Sequence, residues 1–476
     1  MDRADAEEIC DAGREVIIAT LNQQCERIKK LEKLVASLRK NSTNSSKPPS
    51  SDGPEVQKKN KKPKGRKKQG GQPGHKGKNR ELLPVEQMDH IHEQYPDQCE
   101  KCGYFFAEDQ KNPTNNPRRH QWFELPVVKP IMEEFRCHNL TCQCGHQTIA
   151  NLPKHIAISS FGPRLHAAIA YLNVEHRVTR RGITDIFKNF FNLDLALGST
   201  CNVASRVASA CKPVAGQLKA YTANALVLNI DETGWKNKGK RRYLWTFVSN
   251  LCVYFLISTS RGAKVLEEVL GPTFQGVIGS DDHSAYNAYH KTGKRQLCWP
   301  HLIRKLKALK DNRGSPDAYI FAKNMLKETG RLFTYWHAYL ESDDCSLEQL
   351  YHATTLIRAR MKKYCNQYKD SDDKAVRTRA RRTLKNWPHL FTFLQVKGVE
   401  PTNNRAERSF RHAVQWRKIC FGSQSNKGER YVERILSVTR TCKMQGRNPL
   451  DFLAELMDAT FNEQPPPEIF LPPLPN

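Results

Sequence analysis

The sequence predicts an α+β multidomain protein, and three observations predict it: a helical heptad stretch near the N-terminus, two short cysteine turns, and a β-β-β-α-β succession of apolar runs followed by a long helical stretch. At 476 residues the chain exceeds one ordinary core, so about two to four domains are expected. Lys plus Arg outnumber Asp plus Glu by 76 to 49, a formal net charge of +27. That excess points to a polyanionic partner, nucleic acid ahead of an anionic membrane surface. The most apolar stretch, 244–258, is broken by Ser249-Asn250 and reads as two strands rather than a membrane span, and no apolar leader precedes it. Fifteen cysteines scattered without a leader argue for reduced thiols with one metal cluster, as in a reducing cytoplasm.

In residues 9–40, apolar side chains recur at Ile17, Leu21, Ile28, Leu31, Val35 and Leu38, with Gln24 at a seam position. This is a short coiled coil, and with fewer than four heptads it also fits an amphipathic helix packed on its own domain. Residues 41–85 form a basic linker that cannot build a core: a Ser/Asn/Pro tract, then eleven Lys and Arg with no acid between 58 and 80. Lys58, Lys59, Lys61, Lys62, Lys64, Arg66, Lys67 and Lys68 have no amphipathic period, so phosphate contacts without base reading are expected of them.

Residues 86–155 are expected to form a zinc-finger-like domain. Cys99 and Cys102 make one knuckle, and Cys142 with Cys144 offers a second pair, so four thiolates could hold a structural zinc ion. The second pair has one intervening residue where a knuckle usually has two. The spacing therefore leaves open a distorted site, Cys137 as a substitute ligand, or a site without metal. Residues 156–222 read as a helical DNA-binding region, in which 180–191 and 198–210 outline a helix-turn-helix, an outline common to α-rich regions.

The run 225–231 ends in Asp231, strands follow at 242–249 and 252–257, a helix at 263–270, and a short strand at 276–280 that ends in Asp281. This is the order of a ribonuclease-H-like core, here residues 223–300 and 396–440, in which the first and fourth strands are neighbours and Asp231 meets Asp281. A third acid, Glu407, sits about one turn into a helix that Thr402 or Asn403 can cap. Three hard oxygen ligands suit two Mg2+ (or Mn2+) ions about 4 Å apart, which activate an attacking oxygen and stabilise a leaving one at phosphorus. Residues 301–395 are expected as a helical insertion with a basic face at 377–382, and 441–476 as a C-terminal helix and Pro-rich tail.

The strings NSSKPPSSD, GGQPGHKG, NIDETGW, SDDHSAYN, CWPHLIRK, NNRAERSFR, WRKICFGSQSNKG and CKMQGRNPLDFL, in this order, resemble the insertion-sequence-66 family of bacterial DDE transposases. The resemblance runs from the coiled coil to about residue 455. It implies a metal-dependent enzyme that cleaves transposon-end DNA and joins the freed 3′-hydroxyls to target DNA. The alternative is a catalytically inactive DNA-binding regulator derived from one. A ribonuclease-H-like nuclease would leave the coiled coil, basic arm and cysteines unexplained. The family's acids fall on Asp231, Asp281 and Glu407, all intact, and the departures are the short Cys142–Cys144 spacing and Asp282-His283 after the second acid.

Glu232 and Asp282 adjoin the chosen acids; successive strand residues face opposite ways, so only one of each pair can look into the site, and the choice of Asp231 and Asp281 rests on the resemblance. Arg417 and Lys418, with Gln415 and Arg430, are placed to meet DNA phosphate, Arg411 to pair with Glu407, and His301 and Arg304 either to approach the scissile strand or to pack. The implied partners are transposon-end and target DNA, a second copy in a homodimer or higher oligomer, and accessory proteins of the element. No membrane is expected, and the location is the bacterial cytoplasm, at the nucleoid.

Overall fold

The computed structural model describes residues 13–38, 80–114, 116–290, 293–311 and 315–470. The basic run holding Lys58, Lys59, Lys61, Lys62, Lys64, Arg66, Lys67 and Lys68 lies outside them. The chain divides into two compact units, Gln57–Lys129 and the remainder.

The described part of the smaller unit holds two 3-10 turns, Val85–Gln87 and Glu108–Gln110. Its cysteine turn is closed by Cys99 N–H donating to the Tyr104 carbonyl at 2.8 Å and Gly103 N–H to that of Cys99 at 2.9 Å. Gly103 takes the positive φ of 72° that ends such a turn.

In the larger unit, helix α1 (Arg14–Leu38) leaves Leu21, Ile28, Leu31 and Val35 exposed. The hairpin β1 (Asn139–Thr141) and β2 (Gln147–Ile149) encloses the second cysteine turn. That turn copies the first with one residue fewer: Cys142 N–H donates to the His146 carbonyl at 2.9 Å and Gly145 N–H to that of Cys142 at 2.8 Å. Helices α2 (Lys154–Ala157), α3 (Pro163–Val174), α4 (Arg180–Phe191) and α5 (Leu197–Ala223) follow. The hydroxyl of Thr179 caps α4 by accepting from Gly182 N–H. Helix α5 runs well beyond the 198–210 expected, because buried Val203, Val207, Cys211, Val214 and Leu218 keep one apolar face continuous.

The sheet contains β3 (Val227–Asn237), β4 (Lys240–Val248), β5 (Val253–Ser258), β6 (Val277–Ser280) and β7 (Arg295–Leu297), with helices α6 (Ala263–Leu270) and α7 (Ser284–Tyr289) before and after β6. Its order is β5-β4-β3-β6-β7. The first three strands form an antiparallel meander, and β6 and β7 run parallel to β3. The first and fourth strands are thus neighbours, as their order in the sequence implies. One expectation needs correction: β3 does not end at Asp231 but continues to Asn237. Buried Trp235 keeps the second half of β3 on the core, and Lys238-Gly239, both at positive φ, turn the chain straight into β4.

Between β7 and residue 404 come α8 (Trp299–Lys310), α9 (Pro316–Glu341), α10 (Leu347–Ala353), α11 (Thr355–Tyr368) and α12 (Lys374–Lys385). They build a core of their own around Trp299, Phe321, Met325, Met361 and Phe393. The chain then returns through α13 (Asn404–Ser409), α14 (Arg411–Cys420), α15 (Asn426–Met444) and α16 (Pro449–Phe461) to the core of the sheet.

Helix α15 covers the β5 edge. Thr441 Oγ1 accepts from Val253 N–H at 3.1 Å, Ser437 Oγ from Phe255 N–H at 2.9 Å and Glu433 Oε2 from Ile257 N–H at 2.9 Å. A helical spacing of four brings one acceptor to every second residue of a strand, where an edge presents its unpaired donors. Among the described residues no helix is long and apolar enough to cross a membrane.

Candidate active site

The pairing of β3 with β6 fixes where the first two acids meet. The last register pair is Asn229 with Gly279, and Asp231 and Asp281 each lie two residues further on. Beyond that pair β6 soon ends while β3 runs on paired with β4, its other edge met by Asn403 at Ile230 and by Ser423 at Lys236. Asp231 and Asp281 therefore stand where the two parallel strands part, Asp281 just past the end of β6 and Asp231 within β3.

The third acid arrives from α13, and the attachment is specific. Asn403 occupies the N-cap position, yet its side chain does not cap the helix. Its Nδ2 donates to the Ile230 carbonyl at 2.8 Å, and its Oδ1 accepts from Asn229 Nδ2 at 3.0 Å. This corrects the capping expectation: the amide is used to bind the helix to the strand that carries Asp231. Gly279 makes room for it, since a Cβ there would stand 2.7 Å from Asn229 Nδ2. Cys298 Sγ accepts Asn403 N–H at 3.3 Å, and Trp299 N–H donates to the Pro401 carbonyl at 3.0 Å. Glu407 N–H closes the first turn on the Asn403 carbonyl at 3.1 Å.

The carboxyl groups feel one another. Burial pushes Asp231 well above the usual carboxylate range, the charges of Glu232, Asp281 and Glu407 push the same way, and the Glu232 N–H donated to Oδ1 at 2.9 Å opposes them. Burial also raises Asp281, against the pull of His283 and Arg261, and raises Glu407, against the pull of Arg304. A group of acids pushed up by burial and mutual repulsion is short of positive charge, which a divalent cation supplies. Among the described residues these three do not place an oxygen each within one ion's common reach. The group that does bring its ligand atoms that close is Cys298, His301 and Glu407, through sulfur, nitrogen and oxygen.

The neighbouring acids have other duties. Glu232 is buried and bound to Arg261, with Nε donating to Oε1 at 2.9 Å, and to the hydroxyl of Tyr286 on α7. Asp282 pairs with Arg382 of α12, whose Nη2 also donates to its carbonyl at 2.9 Å. This accounts for part of the basic 377–382 face. Glu407 makes no ion pair with Arg411; the cation that bears on it is Arg304. Arg417 donates to Thr233 Oγ1 at 3.2 Å and to the Gly234 carbonyl, bracing the far half of β3. There the 421–423 segment joins the strand through Ser423, and Gly422 has φ 106° with the Lys236 carbonyl oxygen 2.2 Å from where a Cβ would be. Arg430 pairs with Glu433 at 3.0 Å.

Sequence reasoning missed the Asn229–Asn403 link and the Glu232–Arg261–Tyr286 cluster. Both carried a signal, since Asn229, Glu232, Tyr286 and Asn403 all stand inside the motifs that hold the three acids. In the cysteine turns, the N–H groups of Cys102 and Lys101 pull the Cys99 thiol down, and those of Cys144 and Gln143, with the Cys144 thiol between them in importance, do the same for Cys142. Amides aimed at sulfur favour thiolate, the form that ligates metal.

A family model described as "Transposase IS66 family" matches residues 158–431, a span that contains the sheet and all three acids. A second, a family of unknown function (DUF6444), matches residues 3–81. Two Sinorhizobium fredii proteins are similar. Uncharacterized protein y4hP is 23% identical over 385 residues, 72% of this chain and 65% of its own length. Uncharacterized protein y4jD is 25% identical over 225 residues, 45% of this chain and 43% of its own. The chain therefore covers less than two thirds of either relative.

Proposed function

Because the chain belongs to the transposase IS66 family, we propose that it cuts transposon-end DNA and joins the freed 3′-hydroxyls to target DNA at a single site formed by Asp231, Asp281 and Glu407. The observation that carries this reading is a set of three half-buried carboxyl groups whose charges bear on one another, Asp231 and Asp281 two residues beyond the last β3–β6 pair and Glu407 on α13.

The oxygen donor set fits Mg2+ or Mn2+, which when bound would polarise the phosphate and lower the pKa of the attacking water or hydroxyl. The protein's own part is positional. Asp231 and Asp281 are fixed by strand register, Glu407 is fixed through Asn403, and Glu232 is kept out of the ligand set by Arg261 and Tyr286. Arg304 and Lys305 on α8 supply positive charge beside the site for a DNA backbone. The exposed apolar residues of α1 suit a seam with a second copy, which holding two DNA ends would require. The two cysteine turns suit structural zinc, with Lys58, Lys59, Lys61, Lys62, Lys64, Arg66, Lys67 and Lys68 as a phosphate-binding arm and Lys418 as a further phosphate contact.

The test incubates purified protein and labelled transposon-end DNA with Mg2+ or Mn2+. Asp231→Asn should lower cleavage and strand joining on the order of a thousandfold, the worth of several kcal/mol of transition-state charge stabilisation. Undiminished joining by that variant would remove Asp231 from the mechanism. Wild-type protein that binds the ends but never cuts them would favour the regulator instead.

A further inference from the structure

The end of β7 and the start of α8 bring a second kind of donor against the third acid. Cys298 Sγ, a ring nitrogen of His301 and a carboxylate oxygen of Glu407 all lie within 4.8 Å of one another. The thiol is buried, and it is held from both sides: Cys298 N–H donates to the Ser280 carbonyl at 2.9 Å, while Sγ accepts Asn403 N–H at 3.3 Å. His301 stands three residues on, in the first turn of α8. Its Nδ1 is buried with no hydrogen-bond partner, a costly state for an imidazole nitrogen unless something else takes it up.

We propose that Cys298, His301 and Glu407 form a binding site for one zinc-class transition ion. The site is distinct from the magnesium positions expected at Asp231 and Asp281 but shares Glu407 with them. Thiolate, imidazole and carboxylate together are a donor set for zinc or cobalt and a poor one for magnesium, which does not favour sulfur. Three protein ligands leave a fourth tetrahedral position for water. On binding, the thiol proton goes to solvent, so ion, thiolate and carboxylate sum to zero charge. No electron is transferred. The sharing of Glu407 rests on the transposase reading, whereas the ion site does not.

The experiment titrates the full chain, stripped of metal and kept reduced, with Co2+ and follows thiolate-to-cobalt charge-transfer and visible d–d absorption. The cysteine turns also offer thiols to cobalt, so the readout is the difference between proteins. Cys298→Ser should bind one equivalent fewer than wild type and lose the matching charge-transfer intensity. His301→Gln, which keeps the thiol, should weaken that equivalent by about tenfold or more, and Glu407→Gln should do the same. Asp231→Asn should leave it in place. Equal stoichiometry and equal spectra for wild type, Cys298→Ser and His301→Gln would overturn the site, and unaltered affinity in Glu407→Gln would remove the shared ligand. Added Zn2+ should also inhibit Mg2+-driven cleavage more in wild type than in Cys298→Ser. If no protein cleaves DNA, the transposase reading fails while the cobalt difference still decides the ion site. If cleavage proceeds and the cobalt difference is missing, only the ion site fails.

Discussion

The carboxylate site and the cysteine turns are built by opposite means. Asp231 and Glu407 stand 176 positions apart in the chain, and they meet only because a sheet register and one asparagine pair bring them together. Cys99 and Cys102 need no such help. A turn of six residues with two backbone hydrogen bonds arranges them, and the same device recurs at Cys142 with one residue fewer. A locally built donor pair can survive the loss of the surrounding fold, whereas a site assembled over long range fails with any one of its distant attachments.

The largest effect expected from this contrast comes from breaking the attachment itself. Asn403→Ala removes the bond to the Ile230 carbonyl and leaves Asn229 without its partner. Cleavage should fall about ten- to a hundredfold, as for other groups that orient a ligand, while any zinc held by the cysteine turns, read by atomic absorption in a Cys298→Ser background, is unchanged. A variant that loses zinc as well would show that the two regions are not independent.

The next test sharpens the electrostatic side. Asp231→Asn removes a buried charge from a repelling set, so without divalent ions its melting temperature should exceed that of wild type, and Mg2+ should raise wild type more than the variant. Calorimetry with and without Mg2+ reads this directly; a lower melting point for the metal-free variant would mean the acids are not in conflict.

A third prediction concerns the helix that carries the sheet edge. Glu433 is pushed up to about 7 from 4.5 by burial, which outweighs Arg430 and the Ile257 N–H. Below about pH 4.5 folded and unfolded chains both hold the proton, and between there and about 7 only the folded chain does. Stability therefore falls as pH rises through this window, by up to about 3 kcal/mol at roughly 1.4 kcal/mol per unit. Glu433→Gln, which keeps an acceptor for Ile257, should flatten that slope in denaturant titrations.

The smallest effect is expected from Ser437→Ala, which leaves Phe255 N–H buried and unpaired. It should cost about 1–3 kcal/mol in urea unfolding without changing cleavage or metal content.

The contrast also explains what the sequence made legible. The succession of strands and the helices between residues 299 and 385 follow from apolar periodicity and turn residues, which are local signals, whereas the adjacency of β3 and β6 came from likening that succession to a known fold. The extension of β3 to Asn237 was hidden because Glu232, Thr233 and Gly234 break the apolar run, and only the burial of Trp235 and the pairing with β4 restore it. Asn403 looked like a cap because Asn commonly caps helices. That its amide is spent on Asn229 and Ile230 is a contact across 173 and 174 positions, which no spacing rule reaches. Strand alternation allowed only one of Asp231 and Glu232 into the site and the resemblance chose Asp231; the structure gives Glu232 partners in Arg261 and the buried Tyr286 that alternation could not name.

Thr441, Ser437 and Glu433 also bear on how copies of this protein can join. An open strand edge is a template on which another chain can add its own strand, a route to domain exchange and to fibrous aggregates. Here the outer donors of β5 at Val253, Phe255 and Ile257 are already matched by a helix of the same chain. Polymerisation along that border would first have to peel α15 away, so strand exchange at β5 costs the helix its packing before it gains a new partner.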